Sequence, residues 1–200
     1  YNGYPSHPIS PLQGIKDKLP NAEVKYAPGC RLAEGMPFLS PIPENYFYVD
    51  KKLETKGLKA EYFDNVNCEG SPKHIRVDKN IDFVWWTTAP FPDIKYDQFS
   101  VRWKGFLVPP VSGNYIIGGE AFSGFKLILE GKVLNFGQSE HHSKKGYELV
   151  KLEKGKPYEI ELEYVQNNTE YPHVQMLWDI QERDMKKEAL DLAKASDVVV

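Results

Sequence analysis

The sequence is poor in the residues that mark most chemistry-bearing classes. Two cysteines in 200 residues, Cys30 and Cys68, are too few for a disulfide framework. Their spacing fits no redox or zinc motif, so two buried thiols are expected, with a single bridge left open. No apolar run approaches the ~20 residues of a membrane helix, so membrane insertion is not expected. Neither charge dominates: 25 Lys and Arg against 28 Asp and Glu give a net charge of −3. That balance excludes a strongly basic nucleic-acid surface and an acidic tail. An initiator methionine and a leader are both missing. The chain opens on Tyr1-Asn2-Gly3 and stops on Asp197-Val198-Val199-Val200, an apolar run that reads as a strand beginning. Both ends read as cut, and the missing leader then says nothing about compartment.

Aromatic residues are abundant: twelve Tyr, ten Phe and four Trp. That suits an extracytoplasmic β-rich protein whose rings pack sheets or face sugars. Fifteen Gly and fifteen Pro are spread along the chain, which makes it turn-rich rather than disordered. A chain of this length buries roughly 70% of its unfolded surface and needs no metal or disulfide to fold.

Three zones are legible. Residues 1–35 mix a helix and a strand. Ser10 and Pro11 read as N-cap and first helical position, and Leu12, Ile15 and Leu19 follow at helical spacing. Val24 to Ala27 reads as a short strand ended by Pro28-Gly29. Residues 36–56 are proline-rich and then charged, a linker or irregular wrap. From 57 to 180 the period becomes two. Leu58, Ala60 and Tyr62 alternate with Lys59, Glu61 and Phe63; Tyr158, Ile160, Leu162 and Tyr164 alternate with Glu159, Glu161 and Glu163. Turn signals at Ser112-Gly113-Asn114, Glu130-Gly131 and Lys154-Gly155 separate the runs. Many short strands at even spacing predict a mainly β fold, an antiparallel sandwich or barrel. Residues 181–200 return to a helix, with Met185, Ala189, Leu192 and Ala193 on one face, Glu182 on the other and Asp184 as cap, then a strand at Val198–Val200. Helix and strand on both sides are α/β vocabulary, so the β domain reads as inserted into an α/β host.

Several motifs resemble the protective-antigen (PA-14) domain, in that family's order over about 125 residues. They are Gly57-Leu58-Lys59-Ala60-Glu61-Tyr62-Phe63-Asp64, Val77 to Trp85, Phe99-Ser100-Val101-Arg102-Trp103-Lys104-Gly105, Pro109 to Tyr115, and Leu127 to Lys132. The flanks, Tyr1 to Ser6, Ser10 to Ile15, Tyr26 to Cys30 and Glu188 to Val200, resemble the C-terminal α/β domain of glycoside hydrolase family 3. That resemblance implies a periplasmic or secreted, retaining exo-β-glycosidase, in which two carboxylates about 5 Å apart cleave the bond. It also implies that both carboxylates lie outside this chain, so the chain is expected to be catalytically silent and to need no cofactor. In related enzymes the insertion lies over the active-site mouth and favours short oligosaccharides. The implied partners are an oligosaccharide or glycoside and the rest of the glycosidase, β-glucosidase before β-xylosidase. Some lectin-type members hold calcium with adjacent aspartates. Phe122 and Ser123 stand at that place here, so no metal is expected.

The candidate carbohydrate-binding residues are Trp85, Trp86, Phe91, Asp93, Tyr96 and Phe122. Adjacent Trp85 and Trp86 on extended chain face opposite sides, one towards a core and one outward. An outward indole can stack on a sugar face, and Asp93 can accept from its hydroxyls. The alternative is that the rings pack beneath the loop. Loop residues 85–96 and 120–124 would carry recognition, since loops on rigid scaffolds often do. Two rival roles are a tethering carbohydrate-binding module and a structural insert mediating oligomer contacts through an exposed Phe122 or Phe125. Glu159, Glu161 and Glu163 share one strand face and read as solvated rather than catalytic. His141-His142 read as a polar loop rather than a metal site, and His7, His74 and His173 carry no signal. Asn167-Asn168-Thr169 is a glycosylation pattern.

Overall fold

A computed structural model describes residues 9–33, 35–138, 143–167, 171–181 and 183–200. The opening motif Tyr1 to Ser6, His7, His141-His142, Asn168-Thr169 and Glu182 lie outside the described residues. The chain forms two compact units. One holds residues 1–36 and 183–200, and the other runs from Pro37 to Glu182.

In the first unit, helix α1 spans Pro11–Lys18 and helix α2 spans Met185–Lys194. Ser10 caps α1 by accepting the Gln13 N–H at 3.1 Å, and Asp184 caps α2 by accepting the Lys187 N–H at 2.9 Å. Each cap satisfies one of the donors that a helix start leaves open. Met185 is the buried residue of α2. Val24 to Ala27 and Val198 to Val200 belong to no strand. Neither finds a ladder partner among the described residues, and a strand exists only against a neighbour. Cys30, expected to be buried, is exposed, because it follows the Gly29 turn (φ 77°) in irregular chain that no sheet covers. Cys68, in the second unit, is buried, and both thiols are free.

The second unit is an antiparallel sandwich. Its strands are β1 (Ser40–Pro41), β2 (Phe47–Tyr48), β3 (Leu58–Phe63), β4 (His74–Asp78), β5 (Asp82–Val84) and β6 (Phe99–Leu107). They continue as β7 (Gly113–Ala121), β8 (Gly124–Leu129), β9 (Lys132–Gln138), β10 (Lys144–Leu152), β11 (Tyr158–Gln166) and β12 (His173–Ile180). One sheet runs β1-β12-β7-β10, with β5 also on β12. The other runs β4-β3-β6-β11-β8-β9, with β2 also on β6. Residues 37–56 thus carry β1, β2 and the buried Ile42 and Phe47. Pro41 is tolerated because β1 lies at a sheet edge.

The inner faces meet in an aromatic core. Trp103, Tyr62, Tyr115, Tyr164, Phe47 and Phe99 are fully buried there, while Phe63, equally buried, is on the opposite face of β3 under the Arg102 guanidinium. The period of two decides this: on β11, Tyr158, Ile160, Leu162 and Tyr164 point inward. Their outward alternates are less solvated than expected. Glu161 and Glu163 are about one-fifth exposed, because cross-strand partners cover them. Arg102 reaches Glu163 at 2.9 Å and Glu161 at 3.3 Å, and Lys126 reaches Glu163 at 3.3 Å. Burial alone would raise the Glu163 pKa, but Arg102 and Lys126 outweigh it and hold the carboxyl below its usual range. One carboxylate sits inside. Asp78 accepts from Tyr62 Oη at 2.5 Å, Trp103 Nε1 at 2.8 Å and Arg76 Nε at 2.5 Å. Burial, then the Asp78 charge, pushes the Tyr62 phenol well above its ordinary value.

The sandwich begins and ends side by side. The Phe38 N–H donates to Asp179 Oδ2 at 3.0 Å, and Ser40 pairs with Trp178.

Candidate functional site

Strand register brings several loops to one end of the sandwich. Phe63 pairs with Ser100, Phe99 with Gln166 and Gly124 with Val165 in one sheet. In the other, Val84 pairs with His173, and Ala121 with both Val174 and Lys144. The loops 64–73, 85–98 and 122–123, together with the start of β12, therefore meet there. Six described residues other than glycine have positive φ, and four are at this end: Cys68 (54°), Trp86 (60°), Ser123 (72°) and Tyr171 (27°). Such conformations cost on the order of 1–3 kcal/mol each and cluster at functional sites.

The two tryptophans part, but not by strand alternation: β5 ends at Val84, and Trp86 has a left-handed backbone (φ 60°). Trp85 turns towards the core, stacked on Phe83 (5.2 Å between centroids) and Tyr164 (5.8 Å) and edge-on to Phe99. It supports the loop from below. Trp86 stacks instead on Tyr171, with centroids 4.2 Å apart. Phe122 is 6% exposed, edge-on to Tyr171 at 6.5 Å and 6.1 Å from His173. Phe125 is buried as well, with Gly119 and Gly137 on either side of its ring. Neither phenylalanine offers the exposed patch that an oligomer contact through them requires.

The rest of the 85–96 loop is held on β4. The Phe91 ring stacks on the His74 imidazole at 3.9 Å, lies edge-on to Tyr62 at 5.1 Å, and has the Arg76 guanidinium 5.2 Å away. Asp93 Oδ1 is 2.7 Å from His74 Nε2, and Lys73 binds the Asp93 carbonyl. The bond to His74 holds the Asp93 carboxyl below its usual range. Asp64, on the neighbouring loop, is lowered by the Lys95 N–H and by Lys73. Tyr96 is 40% exposed. The candidates therefore form two groups: Trp86 with Phe122, and Phe91 with Asp93.

Sequence reasoning missed the residues that join the first group. Tyr171 links Trp86 and Phe122, and His173 Nδ1 lies 3.2 Å from the Tyr171 carbonyl. His173 Nε2 is 3.0 Å from Ser143 Oγ, which donates to Glu120 Oε1 at 2.6 Å. These partners come from three separated segments, and no local pattern marks them. Beside this group lies an open pocket of about 350 Å³, lined by Val66, Ser123, Gly124, Phe125, Glu163 and Asn167 among others. Among the described residues, no three His, Cys, Asp or Glu side chains converge as a metal site would require. No helix among them is long and apolar enough to cross a membrane.

Residues 54–191 match the PA14 domain. The chain belongs to the PA14 domain family. Among curated relatives, this PA14 chain is 32% identical over 111 residues to the anti-sigma-I factor RsgI3 of Acetivibrio thermocellus, covering 56% of the chain and 17% of that protein. It is 26% identical over 168 residues to a xylan 1,4-beta-xylosidase of Xylanibacter ruminicola, covering 82% of the chain and 19% of that protein. The chain spans less than one-fifth of the length of either relative. Among solved structures, the beta-glucosidase of Kluyveromyces marxianus in complex with glucose superposes with a TM-score of 0.64 at 21% identity. That superposition covers 94% of this chain and 24% of that one, and shows a shared fold.

Proposed function

We propose that this PA14 domain is an accessory carbohydrate-recognition and active-site-capping domain of a secreted or periplasmic retaining exo-β-glycosidase. The enzyme would act on short β-linked oligosaccharides, β-glucosides first and β-xylosides second. One observation carries the choice of host. The match to the xylosidase runs over 168 residues, more than the sandwich unit holds, so it includes part of the flanks. The match to the anti-sigma factor spans only 111. The flanks, whose Val24–Ala27 and Val198–Val200 find no ladder partner among the described residues, would complete their strands against the sheet of the host α/β domain.

In this reading the domain breaks no bond. The loops 85–96 and 120–124 would narrow the mouth of the host site, admitting short substrates and leaving cleavage to host carboxylates. The strained, aromatic loop end supports that role. A tethering module fits less well, because its coplanar aromatic strip is replaced here by a single stacked pair, Trp86 and Tyr171. The test is kcat/KM across a chain-length series for the full-length enzyme, against Phe122→Ala and deletion of residues 37–182. Expected is a shift towards longer substrates. An unchanged chain-length preference in the deletion overturns the proposal.

A further inference from the structure

We propose that the free edge of β10 joins two copies of this chain, with residues 146–152 of each strand paired antiparallel about a two-fold axis at Leu149. The inference does not rest on the carbohydrate reading above.

Three observations converge. First, β10 ends its sheet without the features that keep the other edges single. Its ladder with β7 runs unbroken from Lys144 to Leu152. By contrast, β1 is two residues long and includes Pro41, and β5 is three residues long. The other sheet ends on β9, where the register shifts opposite Leu127 and Ile128, and on β4, where Arg76 and Asp78 turn inward onto Tyr62. A long, regular edge with open N–H and C=O groups is a template for a further strand. Second, the outer face of this edge is apolar. Val150 and Leu152 pack on the core, so alternation puts Tyr147 and Leu149 outside. They are 47% and 64% exposed, and the half-buried Ile116 stands opposite Leu149 on β7.

Third, space and charge select a second β10 and fix its register. The start of β10 is crowded: a Cβ on Gly137 of β9 would lie 3.3 Å from the Lys144 Cβ. Further along, β9 and β10 part around an open cleft of about 280 Å³ lined by Lys132, Val133, Leu134, Glu148, Leu149 and Val150. The second half of β10 is therefore the accessible half. Pairing centred on Glu148 would set Lys145 against Lys151 and Glu148 against its own copy, like charges directly opposite. Centring on Leu149 removes both conflicts. Leu149 then meets its own copy, Tyr147 meets Lys151, Glu148 meets Val150, Gly146 meets Leu152, and Lys145 comes up against Glu153. An ammonium beside a phenol ring and an ammonium beside a carboxylate are both favourable. The strand is thus complementary to itself, as a two-fold contact requires. Antiparallel pairing also sends the two loop ends in opposite directions, so that end stays open in both copies.

The test is sedimentation velocity on this 200-residue chain over a concentration series. Expected is a dimer that forms as concentration rises and dissociates on dilution, as the small area of one strand pair implies. Leu149→Lys sets two ammonium groups together at the axis and weakens the dimer by roughly tenfold or more. Val77→Lys, at an exposed position on the β4 edge, leaves it within about twofold. Cross-linking reads the register in a Cys30→Ser background, which removes the exposed native thiol. Leu149→Cys forms an intermolecular disulfide by itself, whereas Tyr147→Cys and Lys151→Cys do so only when the two variants are mixed. Circular dichroism verifies that each variant is folded. The proposal is overturned by a chain that stays monomeric up to about 1 mM, by a dimer that Leu149→Lys leaves unchanged or that Val77→Lys disrupts, or by Leu149→Cys chains that stay uncrosslinked within the dimer.

Discussion

The ring of Phe91 lies flat on the imidazole of His74, 3.9 Å between centroids and 14° from parallel. Asp93, two residues on, closes the same contact from the side at 2.7 Å. Loop 85–96 is thus fastened to β4 by one stack and one polar bond. Phe91→Ala is expected to loosen that loop while leaving the sandwich folded. Hydrogen exchange should rise across 86–96 and stay unchanged on β6 and β11.

The same fastening has a pH sense. Asp93 and Asp64 both have depressed pKa values in the fold, through His74 and through the Lys95 N–H with Lys73. A depressed carboxylate stabilises above its unfolded pKa of roughly 4, and that contribution disappears as pH falls through the lower folded value. Corrected for the intrinsic pH dependence of amide exchange, opening of the loop should therefore rise as pH falls through the carboxylate range. Asp93→Asn should flatten much of that rise.

Asp78 holds Tyr62, Trp103 and Arg76 together inside the sandwich. Asp78→Ala leaves a buried indole N–H and a buried phenol without their acceptor, and leaves Arg76 with only the Tyr62 hydroxyl at 2.7 Å in place of its carboxylate. The cost should be about 3–5 kcal/mol, as for removing one member of a buried ionic cluster. Asp78→Asn, which keeps acceptor capacity, should cost less. Urea denaturation of the two variants gives the comparison.

Phe125 sits between two glycines. A Cβ on Gly119 would lie 2.8 Å from its ring, and one on Gly137 2.7 Å. Gly137→Ala should destabilise by about 1–3 kcal/mol through overpacking. Adding Phe125→Leu should recover part of the loss, so the two changes are non-additive in a double-mutant cycle.

Calcium and EDTA should each leave the Tm unchanged. Phe122 and Ser123 occupy the turn between β7 and β8, and a phenyl ring cannot supply the oxygen ligands that a hard cation takes. A ligand bound only by the folded state would raise Tm with concentration, so differential scanning calorimetry decides.

Much of this was legible in the sequence because it is local. The alternation along β11, the Glu130-Gly131 hairpin and the caps Ser10 and Asp184 each follow from a few neighbouring residues. Val24 to Ala27 and Val198 to Val200 carry the same strand composition yet form none, since pairing needs a second chain segment that composition cannot provide. Alternation anticipated that Trp85 and Trp86 part, although a left-handed turn at Trp86 produces it, and it could not name the ring that meets Trp86. Tyr171 is 85 residues further on and arrives only through the register of β12 on β5 and β7. His173 and His74 carried no signal for the same reason: each acquires meaning from a partner on another strand.

The neighbouring positions of Phe38 and Asp179 have a kinetic consequence. To the flanking segments, everything between them is a detour that returns almost to its starting point. A host carrying such a detour pays a closure entropy that grows only with the logarithm of its length while the detour is unfolded, and very little once it has folded. Folding of the sandwich first would therefore bring residues 1–36 and 183–200 together, and mutations that slow the sandwich should delay the pairing of those flanks without altering their final structure.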